Sequence, residues 1–252
     1  MTSRLDLEYD GSGFYGWARQ AGQRTVQAEV EAALSRILQR EIPVTVAGRT
    51  DRGVHALAQV VSYEGPVVSA HALNALLPPD VAVHACAPAP DGWSARFDAR
   101  SRSYAYRVLD RRERSALEHG RSLWWSHGLD HDLLRSCAAL LAGEHDFTAF
   151  TPSQTLHQRF RRTVLAASWD VDGDLLLARW VEDGDTLSFE IEADSFMRHM
   201  NRVLVGTMLQ VAQGRRTLEE FAVLLDGAHR RDAGPTAPPH GLYLTGVRYV
   251  RA

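Results

Sequence analysis

AGRTDRGVHALAQV, residues 47–60, sets the reading of the chain. An apolar stretch from Ile42 to Ala47 leads into it, and an alternating one with Leu57, Val60, Val61 and Tyr63 leads out. That is the pattern of a strand, a loop and a strand. Gly48 and Gly53 let the loop bend tightly. Between them one acid, Asp51, stands between Arg49 and Arg52. An exposed ion pair on a solvated loop contributes under about 1 kcal/mol. The same pair of arginines would also hold Asp51 ionised if the loop were shielded from water. A carboxylate kept charged in a cleft is a nucleophile or a base, not a proton donor.

Working outward, residues 3–9 read as a strand and 25–39 as an amphipathic helix, with Thr25 as N-cap and Val26, Val30, Ala33, Leu34 and Ile37 on one face. Strands follow at 42–47 and 57–64, a helix at 69–77 stopped by Pro78-Pro79, and a strand at 81–86. The order β-α-β-β-α-β then recurs. A strand is expected at 102–109, a helix at 130–142 ended by Gly143, and strands at 163–171, 174–181 and 186–192. A long helix at 195–213, a shorter one at 217–226 and a final strand at 242–250 complete the chain, with a Pro/Gly-rich loop at 229–240. Each half therefore matches a split βαβ unit in element order. The expected architecture is α+β, divided at 1–100 and 101–252, with the halves sharing a sheet and a cleft between them.

Composition narrows the chemistry. All 28 basic residues are arginine, which excludes Schiff-base and pyridoxal phosphate chemistry and the P-loop lysine. The net charge of −3 is uneven: seven arginines fall between Arg96 and Arg114, and nine acids between Asp170 and Asp194. Such a chain can present a basic face to a phosphate backbone. Cys86 and Cys137 have no metal-type spacing and suit a reducing cytoplasm. Neither a signal peptide nor a membrane-spanning stretch is expected.

GSGFYG, residues 11–16, matches G-x-G-x-x-G, but the next helical pattern starts only near Thr25, and Phe14, Tyr15 and Trp17 crowd the place of a pyrophosphate. The loop reads instead as a carrier of exposed aromatics and Arg19, suited to stacking on unpaired RNA. His127 with His131, and His145 between Glu144 and Asp146, lack a third metal ligand at sensible spacing. In RSRSYAYR, residues 100–107, Arg102, Tyr104 and Tyr106 share one strand face and Ser101, Ser103, Ala105 and Arg107 the other. Tyr106 reads as core, and an Arg–Tyr pair beside a cleft suits a stacked base.

The chain resembles the tRNA pseudouridine synthase A family. The matching stretches are YDGSGFYGWARQ (9–20), TVQ (25–27), AGRTDRGVHA (47–56), NALLPPDVAV (74–83), SARFDARSRSYAYRV (94–108), LLAGEHDFTAF (140–150), ADSFMRHMNRVLVGTML (193–209) and GLYLTGVRY (241–249). The resemblance implies the pseudouridine synthase fold: two ferredoxin-like halves sharing a mixed, mainly antiparallel sheet with a central catalytic cleft. It makes Asp51 the catalytic aspartate and Arg49 the arginine that helps turn the uridine out of its stack. Tyr104 becomes the tyrosine stacked on the uracil, and Arg202 the arginine that pairs with the catalytic carboxylate. Leu244 is implied as an apolar wall of the uracil pocket. Phe14, Tyr15, Trp17, Arg19, His55, Arg96 and Arg102 are expected to contact RNA. The implied substrates are uridines 38–40 of the tRNA anticodon arm, the implied state a cytoplasmic homodimer, and the implied cofactor and metal complement none. Ala18, where glutamine is common, and MNRV at 200–203 depart from the family pattern. Two other classes remain to be weighed: a non-catalytic RNA-binding module of the same fold, and a metal-dependent RNA hydrolase using the histidines and acids.

Overall fold

The structure, a computed structural model, describes residues 1–155, 158–171 and 186–250. The chain divides into two compact units. One holds Met1–Arg102 with the segment from Tyr243 onward, and the other Ser103–Leu242.

In the first unit, β1 (Thr2–Tyr9), α1 (Val26–Leu38), β2 (Val44–Val46), β3 (His55–Glu64), α2 (Ala70–Asn74) and β4 (Val81–Ala89) follow the expected order. β1 lies between β3 and β4, antiparallel to both. The far edge of β3 is divided. Val61–Tyr63 pair antiparallel with β2, whereas His55 and Ala56 pair parallel with Tyr243 and Leu244 of β10 (Leu242–Tyr249). Residues 243–250, expected with the second half, therefore group with the first. Alternation along β1 sends Leu5, Leu7 and Tyr9 into the core. The core face of α1 supplies Val26, Val30, Ala33 and Leu34. Thr25 occupies the N-cap position but makes no side-chain capping bond, and its hydroxyl is buried without a partner. α2 is shorter than its pattern because Asn74 turns its side chain to β4. Its amide donates to Val83 O (2.9 Å), and its Oδ1 accepts from Val83 N (2.8 Å).

The second unit begins within β5 (Ala99–Asp110) and continues through β6 (Leu123–Trp125), α3 (His131–Ala139), β7 (Gly143–Asp146), β8 (Arg161–Val171), β9 (Thr186–Ala193), α4 (Met200–Ala212) and α5 (Leu218–Val223). Its strand path is β5-β9-β8-β7, with β6 parallel to β5. The expected strand at 174–181 lies outside the described residues. The other differences have local causes. α3 starts after Asp130, whose carboxylate accepts from Leu133 N (2.9 Å). α4 starts five residues later than its apolar pattern because His199 takes a left-handed conformation, φ 62°, at the N-cap. Eleven of its thirteen residues are buried, Arg202 and Gln210 being the exceptions, as for a helix surrounded by protein. Trp169 packs on Phe189 (5.3 Å between centroids) and donates its indole N–H to Met208 Sδ (3.4 Å).

Candidate active site

The Asp51 loop leaves β2 and returns at His55, where β10 begins to cover β3. Val54 N donates to Asp51 O (3.1 Å), and Gly53 turns the chain at φ 76°. The loop does not stand alone. Residues 11–17 lie against it and exchange backbone hydrogen bonds with it: Trp17 N donates to Thr50 O (3.1 Å), and Gly53 N to Phe14 O (3.3 Å).

The glycines of GSGFYG serve this contact. A Cβ on Gly11 would meet Val54 O at 2.0 Å. One on Gly16, at φ +89°, would meet Thr50 O at 2.8 Å and Asp51 C at 3.1 Å. Two backbones run too close for side chains between them, so the motif fits a protein loop where a nucleotide fold would seat pyrophosphate.

The polar groups beneath the loop are matched to it. Tyr9 and Thr50 share a hydroxyl hydrogen bond of 2.7 Å, and Gln59 donates to Tyr9 Oη (3.2 Å) and to Gly48 O (2.8 Å). Burial pushes the Tyr9 phenol up to about 12, and its hydroxyl accepts from Gln59 while sharing a hydrogen bond with Thr50 in which either can donate. Tyr9, Thr50 and Gln59 were missed as site residues. Their signal, a hydroxyl or amide at buried positions of β1 and β3, is visible only once the strands are paired. We expect Tyr9→Phe to leave the Thr50 and Gln59 side chains short of a partner and to lower stability by about 1–3 kcal/mol. Urea unfolding would measure this, and an unchanged midpoint would refute it.

Several expected RNA contacts are corrected. Phe14 and Trp17 are each 1 % exposed, so they form the core under the loop and offer no face to a base. His55 is also buried. Its Nδ1 accepts from Gly11 N (3.1 Å) and its ring stacks on Tyr243 (4.7 Å, 19°), so it ties the aromatic loop to β10. Arg102 is partly buried and donates to Ala47 O (2.9 Å), Arg96 O (2.6 Å) and Ala99 O (3.2 Å). It braces the strand that enters the Asp51 loop. Arg19, itself exposed, pairs with the buried Glu31 of α1 (2.7 Å).

Tyr15 and Arg52 do remain at the surface, with the Arg52 guanidinium 4.1 Å from the Tyr15 ring centroid. Arg49 and Arg96 are exposed, Asp51 is partly exposed, and Leu244 is fully buried. In the second unit Tyr104 is 7 % exposed and meets Phe196 edge-on at 5.0 Å. Arg202 Nε donates to Ala237 O (2.7 Å), and Ala237 N returns a bond to Arg202 O (3.0 Å). The Pro/Gly-rich loop is thereby fastened to α4. Tyr106, as expected, is core, fully buried with its hydroxyl on Pro238 O (2.9 Å).

What the first unit offers chemically is a carboxylate on a tight loop that is fixed by the aromatic loop, by Tyr9 and Gln59 and by Arg102, and flanked in sequence by Arg49 and Arg52. Such rigidity suits a nucleophile or base that must meet its target without reorganising. Among the described residues no three His, Cys, Asp or Glu side chains converge as metal ligands, and no helix is long and apolar enough to cross a membrane.

Comparison with known proteins finds relatives over nearly the whole chain. The chain is 39% identical to a tRNA pseudouridine synthase A of Bordetella petrii, over 97% of this chain and 90% of that one. It is 38% identical to one of Xanthomonas euvesicatoria, over 99% and 95%, and 37% identical to one of Nitrosomonas eutropha, over 99% and 88%. A solved chain of a Cbf5-Nop10-Gar1 complex aligns at 12% identity over 96% of this chain and 58% of that one, with a TM-score of 0.32, a likeness too loose to build on. The model of the tRNA pseudouridine synthase family matches residues 7–98 and 137–250, and the chain belongs to that family of isomerases.

Proposed function

We propose that this isomerase converts uridine to pseudouridine at positions 38–40 in the anticodon arm of tRNAs, with Asp51 as the nucleophile or base. The observation that carries the reading is the Asp51 loop itself, held by the aromatic loop and by the Tyr9, Gln59 and Arg102 side chains. The reaction breaks the N1–C1′ bond, turns the uracil, joins C5 to C1′ and releases the C5 proton. Nothing is taken from a donor, so no cofactor or metal is called for. Attack of Asp51 on C1′ and removal of the 2′ proton both begin from an ionised carboxylate.

The target base must leave its stack, which costs about a few kcal/mol. Arg49 helps to offset this by taking the place of the flipped base, and Tyr104 by stacking on the uracil, with Leu244 as an apolar wall. Arg202 pairs with the Asp51 carboxylate. Tyr15 and Arg96 contact the RNA backbone and bases. The working state is a cytoplasmic homodimer.

The test is tritium release from tRNA labelled at C5 of uridine, in EDTA. Release at unchanged rate with and without EDTA is the expected result. Bound but unmodified tRNA would replace the isomerase with an RNA-binding module. Activity lost to EDTA and restored by a divalent metal would favour the hydrolase.

A further inference from the structure

The turn Ser94–Asp98 is pinned along its whole length. Ser94 N donates to Asp98 Oδ2 (2.7 Å) and Asp98 N to Ser94 O (3.1 Å). Ser94 Oγ accepts from the amides of Arg96 (3.4 Å) and Phe97 (3.3 Å). Ala95 is fully buried, its N donating to Ser62 Oγ of β3 (3.1 Å) and its O accepting from the Tyr249 hydroxyl of β10 (2.7 Å). Arg96 O accepts from Arg102 Nη2, the same nitrogen that donates to Ala47 O. One guanidinium thus links this turn to the residue before Gly48 and the Asp51 loop.

At the tip of this fixed turn the Phe97 ring is 80 % exposed, more than any other large apolar side chain among the described residues. The Arg96 guanidinium lies 5.4 Å from its centroid. Arg96, Asp98 and Arg100 are all exposed around it. A ring framed by charges lacks the apolar surround and charge depletion of a protein–protein interface core. It has what an unpaired nucleotide requires: a π-face for the base and cations for the phosphates.

We propose that Phe97, with Arg96 beside it, is a stacking platform for an unpaired base of the RNA substrate near the target uridine. The proposal rests on the RNA-isomerase reading above and adds a binding residue to it. Because Arg102 couples the turn to the strand entering the Asp51 loop, the platform fixes where the RNA lies relative to the carboxylate. Exposure of Phe97 also means that replacing it leaves the fold intact.

The experiment compares Phe97→Ala, Phe97→Leu and Phe97→Trp with wild type in C5-tritium release from tRNA, with sedimentation of each protein in the absence of RNA. Stacking on one base predicts a KM raised roughly tenfold in Phe97→Ala, with a smaller change in kcat. Phe97→Leu should behave like Phe97→Ala, since it keeps the apolar bulk and loses the π-face, and Phe97→Trp should keep the wild-type KM. A wild-type KM in Phe97→Ala or Phe97→Leu overturns the proposal. So does altered sedimentation of Phe97→Ala, which would assign the ring to a contact between copies. A wild type that releases no tritium is a separate result, and removes the functional reading together with the platform.

Discussion

Asp51→Asn is expected to lower tritium release from C5-labelled tRNA by roughly 10⁴-fold or more, the scale on which loss of a nucleophile or base acts. The asparagine keeps the volume and the hydrogen bonds of the loop backbone, so the Val54–Asp51 turn and the contacts with residues 14–17 persist. What disappears is the negative charge and the lone pair that attacks or deprotonates. Affinity for tRNA should stay within about threefold, because phosphate contacts from many arginines carry it. The measurement pairs tritium release with a filter-binding titration on one preparation. Turnover above a hundredth of wild type would take the chemical step away from Asp51. A matching fall in affinity would make it a binding residue.

Gly16→Ala is the second large effect, and it touches no reacting group. At φ +89° the alanine is strained, and its Cβ would stand 2.8 Å from Thr50 O and 3.1 Å from Asp51 C. The aromatic loop must retreat, carrying the Asp51 loop through the Trp17–Thr50 bond. A misplacement near 1 Å costs about 10²-fold in rate, so kcat should fall by that order while the fold survives. Gly22→Ala supplies the control. Gly22 has a similar φ, +72°, with nothing within 4 Å, so it carries the same backbone strain without the collision. Circular dichroism, melting and kcat on both variants separate the terms. Equal loss in both would mean that strain alone matters and that the two loops do not brace each other.

Local pattern was a good guide where the physics is local. Alternation located β1, β3 and β4, and the 3.6-residue period located α1 and α3, because burial of one face writes itself into neighbouring residues. Asp51 stood out as a candidate for a related reason: a lone acid between two arginines and two glycines is unusual chemistry at short range. Elements with little periodicity were lost. β6 is three residues long, and β7 begins at Gly143, a glycine that read only as a helix end. The larger error concerned Phe14, Trp17, His55 and Arg102. Aromatics beside glycines, a histidine and an arginine near a catalytic loop all suit RNA, and nothing local distinguishes a phosphate from a carbonyl as an arginine's partner. Phe14 and Trp17 meet Gly53, Thr50 and Tyr9, His55 meets Gly11 and Tyr243, and Arg102 meets Ala47, all brought near by strand pairing and loop docking.

The divided edge of β3 sets an order of events in synthesis. Its first residues, directly after the Asp51 loop, are covered by Tyr243 and Leu244, and the His55 ring lies on Tyr243. A growing chain emerges N-terminal end first, over many seconds. Throughout that interval β1 to β4 can pair, but the root of the Asp51 loop has an open strand edge. Only the synthesis of β10 closes it. A chain still lacking Leu242–Tyr249 leaves that root uncovered, so the Asp51 loop gains this support only when β10 pairs with β3, one of the earliest strands made.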